Sequence, residues 1–435
     1  MERGNQWFDL LPKELLVLIF QRLDRIDVLR LRAVCKSWQY SILDFLQKEK
    51  SIRSPLKLPG FLLSKEELLR SPPKFPFYHF HPISGRYITV TESTVYRLEP
   101  SQKNPNASMV VGEASSSSSS SYKGILVKVK AEGPNEVRLL PPLSELGDIW
   151  HRKFLKNLNL LGLRFSEISK VYNMERNSLH HNMKKLAVLF PNPMRATADG
   201  YAVMAISDYG RLYFLKSGDE EWTAIHEQAE QQSDYTDVIN HKGKFYAITD
   251  TGGAIVIDSF RQVSEIAHPI RDGGVLASFQ IANPQLGGHE MHLVESLGDL
   301  LLVDRHTFWD KFKVYKLDEE EREWVEMRSL GDRVVFMDRH SSFSVSARDL
   351  SGCKANSIYH MGLRVAAWSF AHARPLRLMP MTVFNLEDGR VPDKDLGLPD
   401  EEALSWALKA HIGKKKKKKE KERRRRRNKK TRGWW

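Results

Sequence analysis

Residues 292–327 read HLVESLGDLLLVDRHTFWDKFKVYKLDEEEREWVEM. Short apolar runs alternate with turn signals throughout. His292–Ser296 stops at Gly298-Asp299, Leu300–Asp304 follows, and Phe312–Leu317 and then Trp324–Met327 come after it. Each run is too short for a helix and rich in β-branched or aromatic residues, so each reads as a strand. Working outward, the theme recurs at 201–222: Tyr201–Ile206, a turn at Ser207–Gly210, Arg211–Leu215, a turn at Gly218-Asp219 and then Trp222. A third unit has Val238-Ile239, a turn at Lys242-Gly243, Lys244–Ile248, a turn at Gly252-Gly253 and Ala254–Asp258. Further upstream, Arg86–Val90, Thr94–Leu98 and Gly124–Lys130 read as strands, and seven consecutive serines at Ser115–Ser121 read as an exposed loop tip. Residues 150–190 give no clear pattern.

Closely spaced short strands with imperfect repeats suggest a sandwich, a barrel or a propeller. The region 75–398 is long for one sandwich. A radial array of four-stranded blades absorbs that length in one domain and leaves few exposed edges. At about 40–50 residues per blade, six to eight blades are expected. Strands do not alternate with long helices, which disfavours a doubly wound α/β fold.

Composition narrows the class further. The chain has 435 residues, 41% of them apolar and 10% aromatic, enough for a large core and for more than one domain. Its two cysteines, Cys35 and Cys353, exclude a disulfide framework and a four-cysteine zinc site and point to a reducing compartment. The net charge of +13 is local, because residues 414–432 hold 15 Lys and Arg against 2 Glu and account for all of it. The rest is neutral, unlike a globally basic nucleic-acid-binding domain. No run approaches the length of a membrane span. Leu15–Phe20 is too short for a signal-peptide core, so secretion is not expected, and the sequon Asn106-Ala107-Ser108 carries no weight.

The first fifty residues differ in kind. Pro12 suits the first turn of a helix, and Leu15, Leu16, Ile19, Phe20 and Leu23 then fall on one helical face. Asp27 can cap a second short helix carrying Val28, Leu31 and Val34. Trp38, Ile42 and Phe45 suggest a third. Three short helices expose about as much apolar surface as they bury, so the unit needs a partner or the rest of the chain. Spacing alone allows a helical cap with the same leucines in an internal core.

The ordered residues Asp9-Leu10-Leu11-Pro12-x-Glu14-Leu15-Leu16-x-x-Ile19-Phe20-x-x-Leu23, then Asp27 and Leu31-Arg32-x-Val34-Cys35-Lys36-x-Trp38, resemble an F-box. The resemblance implies docking on a Skp-type adaptor and, through it, on a cullin–RING ubiquitin ligase. It implies that Leu10, Pro12, Leu15, Leu16, Ile19 and Leu23 face the adaptor. Val34, Cys35 and Trp38 would pack the later helices and their edge of that interface. Cys35 lies in an apolar run and reads as a packing residue rather than a nucleophile.

A second resemblance covers the β-rich part. Phe312-x-Val314-Tyr315-Lys316-Leu317-Asp318, Trp324-Val325-Glu326 and Ser329–Phe336 are similar to a plant family that joins an F-box to a KIB-type domain of unknown function, a β-propeller. Phe343–Ala347, Gly352-Cys353-Lys354-x-Asn356–Tyr359 and Val383–Gly389 agree with it. The Ser-rich insert and the basic tail depart from the family. The resemblance implies an architecture and a role in binding a target protein, but no active site and no cofactor.

The chemistry-bearing patterns are sparse. Neither phosphate-cradling glycine loop occurs, nor a Gly-x-Ser-x-Gly elbow. His289-Glu290-Met291-His292 is one residue short of a zinc-protease helix and leads into a β-like run, so no metal site is expected there. His79/His81 and His180/His181 read as polar surface. Asp318–Glu321 reads as a solvated hairpin loop, and Asp208, Asp219 and Asp250 sit at turn signals, where Asp bonds its own backbone.

The expected organisation is therefore multidomain: an all-α F-box at 1–50, a Pro-rich linker at 51–74, an all-β propeller at 75–398, and a short helix with a disordered polybasic tail at 399–435. Lys414, Lys415, Lys416 and Lys417 with Arg423, Arg424, Arg425 and Arg426 form the basic block. Nuclear import by an import receptor, electrostatic contact with nucleic acid or acidic membrane, and a merely solvated tail are its three readings. The expected function is the non-catalytic substrate-receptor subunit of an SCF-type ubiquitin ligase in the nucleus, with an unidentified target protein. The alternative is a nuclear scaffold that touches nucleic acid through its tail.

Overall fold

The computed structural model describes residues 56–61, 87–100, 124–131, 137–143, 163–174, 183–190, 200–271 without 208 and 226–233, 289–306, 311–361 without 339, 351 and 352, and 382–391, together with single positions between 12 and 42. The strands form five sheets. Blade 1 holds β1 (Leu56–Pro59), β2 (Tyr87–Pro100), β3 (Ile125–Ala131), β4 (Val137–Leu140) and β5 (Leu163–Met174). Blade 2 holds β6 (Met183–Leu189), β7 (Ala202–Ser207), β8 (Leu212–Lys216) and β9 (Thr223–Ala224). Blade 3 holds β10 (Tyr235–His241), β11 (Lys244–Thr249), β12 (Ala254–Ile257) and β13 (Val263–Ala267). Blade 4 holds β14 (His289–Ser296), β15 (Asp299–His306), β16 (Lys311–Asp318) and β17 (Glu323–Met327). Blade 5 holds β18 (Arg333–Met337), β19 (Ser342–Ser346), β20 (Ser357–His360), β21 (Thr382–Asn385) and β22 (Gly389–Val391).

Five strands, β5, β6, β10, β14 and β19, touch in a closed ring, one from each blade. In blades 2, 3 and 4 the chain starts at this inner strand and meanders outward. Blades 1 and 5 differ. β5 comes last in its blade yet pairs with β2 at the inside, while β1 and β3 share the other edge of β2. β18 hairpins inward to β19, and the chain then crosses to β20, parallel to β18.

Every described core lies between two neighbouring blades. Blades 1 and 2 bury Leu58, Phe61, Val203 and Leu215. Blades 2 and 3 bury Phe214 and Phe245 with Met204 and Ile257. Tyr246, Leu293 and Trp324 fill the next interface, and Val294, Val314, Val335 and Ile358 the one after it. Val95, Leu126 and Val171 of blade 1 then meet Val334, Phe336, Tyr359 and Val383 of blade 5, which closes the circle. β7 is buried at all six positions because a blade covers each of its faces, so it reads as a continuous apolar run. β16 lies further out and alternates, with Phe312, Val314 and Leu317 inward and Lys311 and Lys313 outward.

The expected six to eight blades are corrected to five. Strand-bearing segments do not divide the chain evenly, because blade 3 fits within 235–267 while blade 1 spreads over 56–174. Division by a mean blade length therefore overcounts. The strands expected at 86–90 and 94–98 are one strand, β2, since Thr91 and Ser93 are buried and paired with Asn173 and Val171. β1 lies within 51–74, the stretch expected to be a connector, and buries Leu58 completely.

The turn readings explain the registers. Lys242-Gly243 and Leu297-Gly298 all have positive φ (47°, 75°, 56° and 85°), the two-residue turn whose twist matches antiparallel strands. Both tryptophans of the repeat reach back one blade. Trp222 Nε1 donates to Pro59 O at 3.0 Å and Trp324 Nε1 to Gly252 O at 2.8 Å. At the seam between blades 5 and 1, Gly124 N donates to Asp349 O at 2.8 Å. A Cβ on Gly124 would stand 2.7 Å from Arg97 Cγ and 3.1 Å from Leu98 O, so this approach requires glycine. Arg97 also pairs with Asp349 across the seam at 2.5 Å. Deeper in, Lys128 of β3 and Asp338 after β18 form a fully buried ion pair, Nζ to Oδ2 3.8 Å. Asp338 Oδ1 further accepts from Ser341 N at 2.7 Å and His340 N at 2.8 Å.

Candidate functional site

Two surfaces carry features that a folded ring does not require. The first is the N-terminal segment. Leu15, Leu18 and Ile19 are helical, as are Asp27, Arg30 and Leu31, and Tyr40, Ser41 and Ile42. Leu15 N donates to Pro12 O at 3.1 Å, which starts the first turn at the proline. Leu15 is 46% exposed, Leu18 49% and Ile19 38%, and Pro12 is exposed beside them. These positions share one helical stripe, so the segment presents apolar surface outward. Ile42 is fully buried.

Arg30 ties this segment to blade 1. Its Nη2 donates to Leu163 O at 2.6 Å and its guanidinium sits 4.8 Å from the Phe165 ring, while Asp27 Oδ1 accepts from Nη1 at 2.7 Å. The remaining residues expected to face or support an adaptor, Leu10, Leu16, Leu23, Val34, Cys35 and Trp38, lie outside the described residues. So do Lys414–Lys417 and Arg423–Arg426. Leu18 is not among the residues expected from the sequence, although its place three residues from Leu15 and next to Ile19 puts it on the same stripe.

The second surface is the end of the ring where the inner strands begin. Asp237 on β10 is buried between three blades. It pairs with Lys185 of β6 and accepts from Val238 N at 2.6 Å and from Leu293 N of β14 at 2.9 Å. Nearby, Arg305 Nη1 donates to Glu290 Oε2 at 2.8 Å, and His289 Nδ1 lies 2.8 Å from Asp304 Oδ1, which also pairs with Arg271. Burial works against the charged form of Glu290, but His292 and Arg305 outweigh it and hold the carboxyl below its usual range. At the opposite ends of the strands the turn reading holds for Asp318 and Asp219, while Asp208 lies outside the described residues. Asp318 Oδ1 accepts from Glu320 N at 3.0 Å, and Asp219 Oδ2 accepts from Lys216 N at 2.8 Å. His289–His292 is not helix, and the strand expected to start at His292 already starts at His289.

Two other buried groups, His241 at the end of β10 and Asp338 at the seam of blades 5 and 1, set an acid response. Burial, the largest cause, holds the pKa of His241 below its ordinary value of 6.5. Such a group binds more protons when unfolded, so its contribution is present above pH 6.5 and is lost as pH falls through its folded value. Asp338 is depressed as well, Lys128 and the backbone donors outweighing desolvation, and its contribution is lost only below the ordinary value of 3.8. The expected result is a thermal midpoint that declines below pH 6.5 and again below about pH 4, and His241→Phe should flatten the first decline. Circular dichroism melts from pH 3 to 8 check this.

Cys353 is half-buried beside Tyr359. Burial first, and Cys353 second, push the Tyr359 phenol up to about 12. Lys354 N donates to its oxygen at 3.1 Å, so the pair reads as packing. Among the described residues no helix is long and apolar enough to cross a membrane.

The sequence model of a family described as KIB1-4 beta-propeller matches residues 87–385, and one described as F-box-like matches residues 8–50. F-box protein SKIP23 of Arabidopsis thaliana is 25% identical over 426 residues, covering 90% of this chain and 88% of that protein. F-box protein At2g26160 of the same plant is 28% identical over 381 residues, covering 81% of this chain and 95% of that protein. Among solved structures, YCF48 from Cyanidioschyzon merolae aligns over 54% of this chain and 56% of its own at 11% identity, with a TM-score of 0.24, too low to bear on the fold.

Proposed function

Because the chain belongs to the KIB1-4 beta-propeller family and carries an F-box-like segment ahead of the ring, we propose that it is the substrate-recognition subunit of an SCF-type ubiquitin ligase. The F-box docks on a Skp-type adaptor, and the propeller binds the target protein. The observation that carries this reading is the exposed apolar stripe of Leu15, Leu18 and Ile19 within the F-box-like match. Exposed leucines on a short helical unit gain by burial against a partner, at roughly 25 cal/mol per Å². The ring acts by proximity, holding target lysines where other subunits transfer ubiquitin, at an effective concentration that free diffusion does not reach. In this reading the chain makes and breaks no covalent bonds. The test is co-purification of the tagged full chain with a plant Skp-type adaptor and cullin. Recovery of both is expected, and recovery of neither overturns the reading.

The basic block supports nuclear residence, as a ligand for an import receptor. Deleting 414–432 from a fluorescent fusion should move it from nucleus to cytoplasm. An unchanged distribution overturns the assignment. If the deletion instead removes a steeply salt-dependent nucleic-acid affinity, the tail is an electrostatic anchor.

A further inference from the structure

We propose that Glu290, His292 and His360 form a divalent transition-metal site, of the kind zinc occupies, which clasps blade 4 to blade 5. Strand alternation places Glu290 and His292 on one face of β14. His360 ends β20 of the next blade and is 3% exposed. One ligand atom from each residue falls within 4.8 Å of the other two. Two imidazoles and one carboxylate are a donor set that suits zinc and its neighbours rather than magnesium or calcium, which take oxygen.

The histidine at the centre of the cluster points to an ion. His292 Nε2 is buried and makes no hydrogen bond. It faces Glu290 Oε2 at 3.9 Å, beyond hydrogen-bond reach. Its other nitrogen, Nδ1, lies 3.8 Å from Asp237 Oδ2. At that distance the carboxylate is a neighbour rather than a hydrogen-bond partner, and drawn closer it would be the outer-shell carboxylate that orients a metal-binding histidine. A zinc ion about 2.1 Å from each donor brings tetrahedral donors to within about 3.4 Å of one another, so the cluster closes by side-chain movements of roughly an ångström. The half-exposed Glu290 gives a path from solvent and leaves a coordination position for water.

The charges around the cluster set the strength. Arg305 on Glu290 and Lys185 on Asp237 are positive, and they balance the two carboxylates. A cation therefore enters a neutral setting and is held by its donor bonds more than by net attraction, which gives moderate affinity. His360 also packs against Phe312, with centroids 5.9 Å apart. Binding would thus fix the last two blades of the ring against each other.

The test uses the full chain, stripped with a chelator and titrated with Zn²⁺ or Co²⁺ alone. One equivalent is expected, with a Co²⁺ d–d band of tetrahedral intensity. The thermal midpoint should rise by about 5 °C at a hundredfold excess of zinc over Kd. Glu290→Gln and His292→Gln should each weaken binding at least ~10-fold. Glu290 is half-exposed, so its variant should fold even if one at His360 does not. The proposal is overturned if stoichiometric metal is absent, or if both variants bind zinc as the parent does, which would place the ion on other histidines.

Discussion

Leu15→Asp is expected to lower the affinity for the Skp-type adaptor more than a hundredfold while leaving the propeller's melting unchanged. Anchors at the centre of an interface contribute about 2–4 kcal/mol each, and a carboxylate forced into such a place adds its own desolvation. About 3 kcal/mol exceeds a hundredfold in Kd. Leu15 is 46% exposed, so the substitution removes little internal packing. This separates the docking reading from the alternative left open by spacing alone, a helical cap with its leucines turned inward. Under that alternative Leu15→Asp lowers the thermal midpoint and leaves adaptor binding no worse than folding allows. Leu18→Asp should behave as Leu15→Asp does. Ile42→Asp, at a fully buried position, should do the reverse and unfold the segment. Adaptor binding retained by Leu15→Asp and Leu18→Asp alike would sink the reading.

The second large effect is at the seam. Lys128→Ala should lower the thermal midpoint by about 10 °C, since it strands Asp338 as a buried charge and breaking such a pair costs about 3–5 kcal/mol. Asp338 is 1% exposed and cannot turn to water, and its other oxygen is already committed to Ser341 and His340. Lys128→Met combined with Asp338→Asn should recover most of the loss. The double substitution removes both charges, and the amide side chain keeps an oxygen for the two backbone donors. Melts of the two single variants and the pair close the cycle. A Lys128→Ala midpoint within about a degree of the parent would show that the pair does not hold the seam.

Much of this architecture was legible in the sequence, and the reasons are local. Gly243 and Gly298 announce their hairpins because glycine tolerates the positive φ that completes them, although the second turn is Leu297-Gly298, one residue before the Gly298-Asp299 read from the sequence. The recurring tryptophan marks a repeat because each one bonds the blade before it. β6 was not legible. Its buried Lys185 reads as surface until Asp237 is brought beside it from another blade. β2 reads as two strands in the sequence because the polar residues Thr91–Ser93 imply a turn, whereas β5 covers them. Blade count depends on where long connections fall, and local pattern does not encode that. At the N-terminus the leucine spacing gave the helical stripe, and exposure of Leu15 and Ile19 gives its direction. The grouping of His360 with His292 depends on blade 4 meeting blade 5, so no motif of fixed spacing could contain it.

The ring's division of its core between neighbours has a consequence for synthesis. The last interface needs Val95 and Leu126 from the first blade and Val334, Phe336 and Val383 from the last. About 240 residues separate Val95 from Val334, the first of these partners to be made, so at 5–20 residues per second the ribosome takes roughly 12–48 s to deliver it. Through that interval one apolar flank of blade 1 has nothing of its own chain to cover it. A nascent chain of this design therefore calls on chaperones early, and a message truncated before residue 333 yields an open arc with two sticky ends.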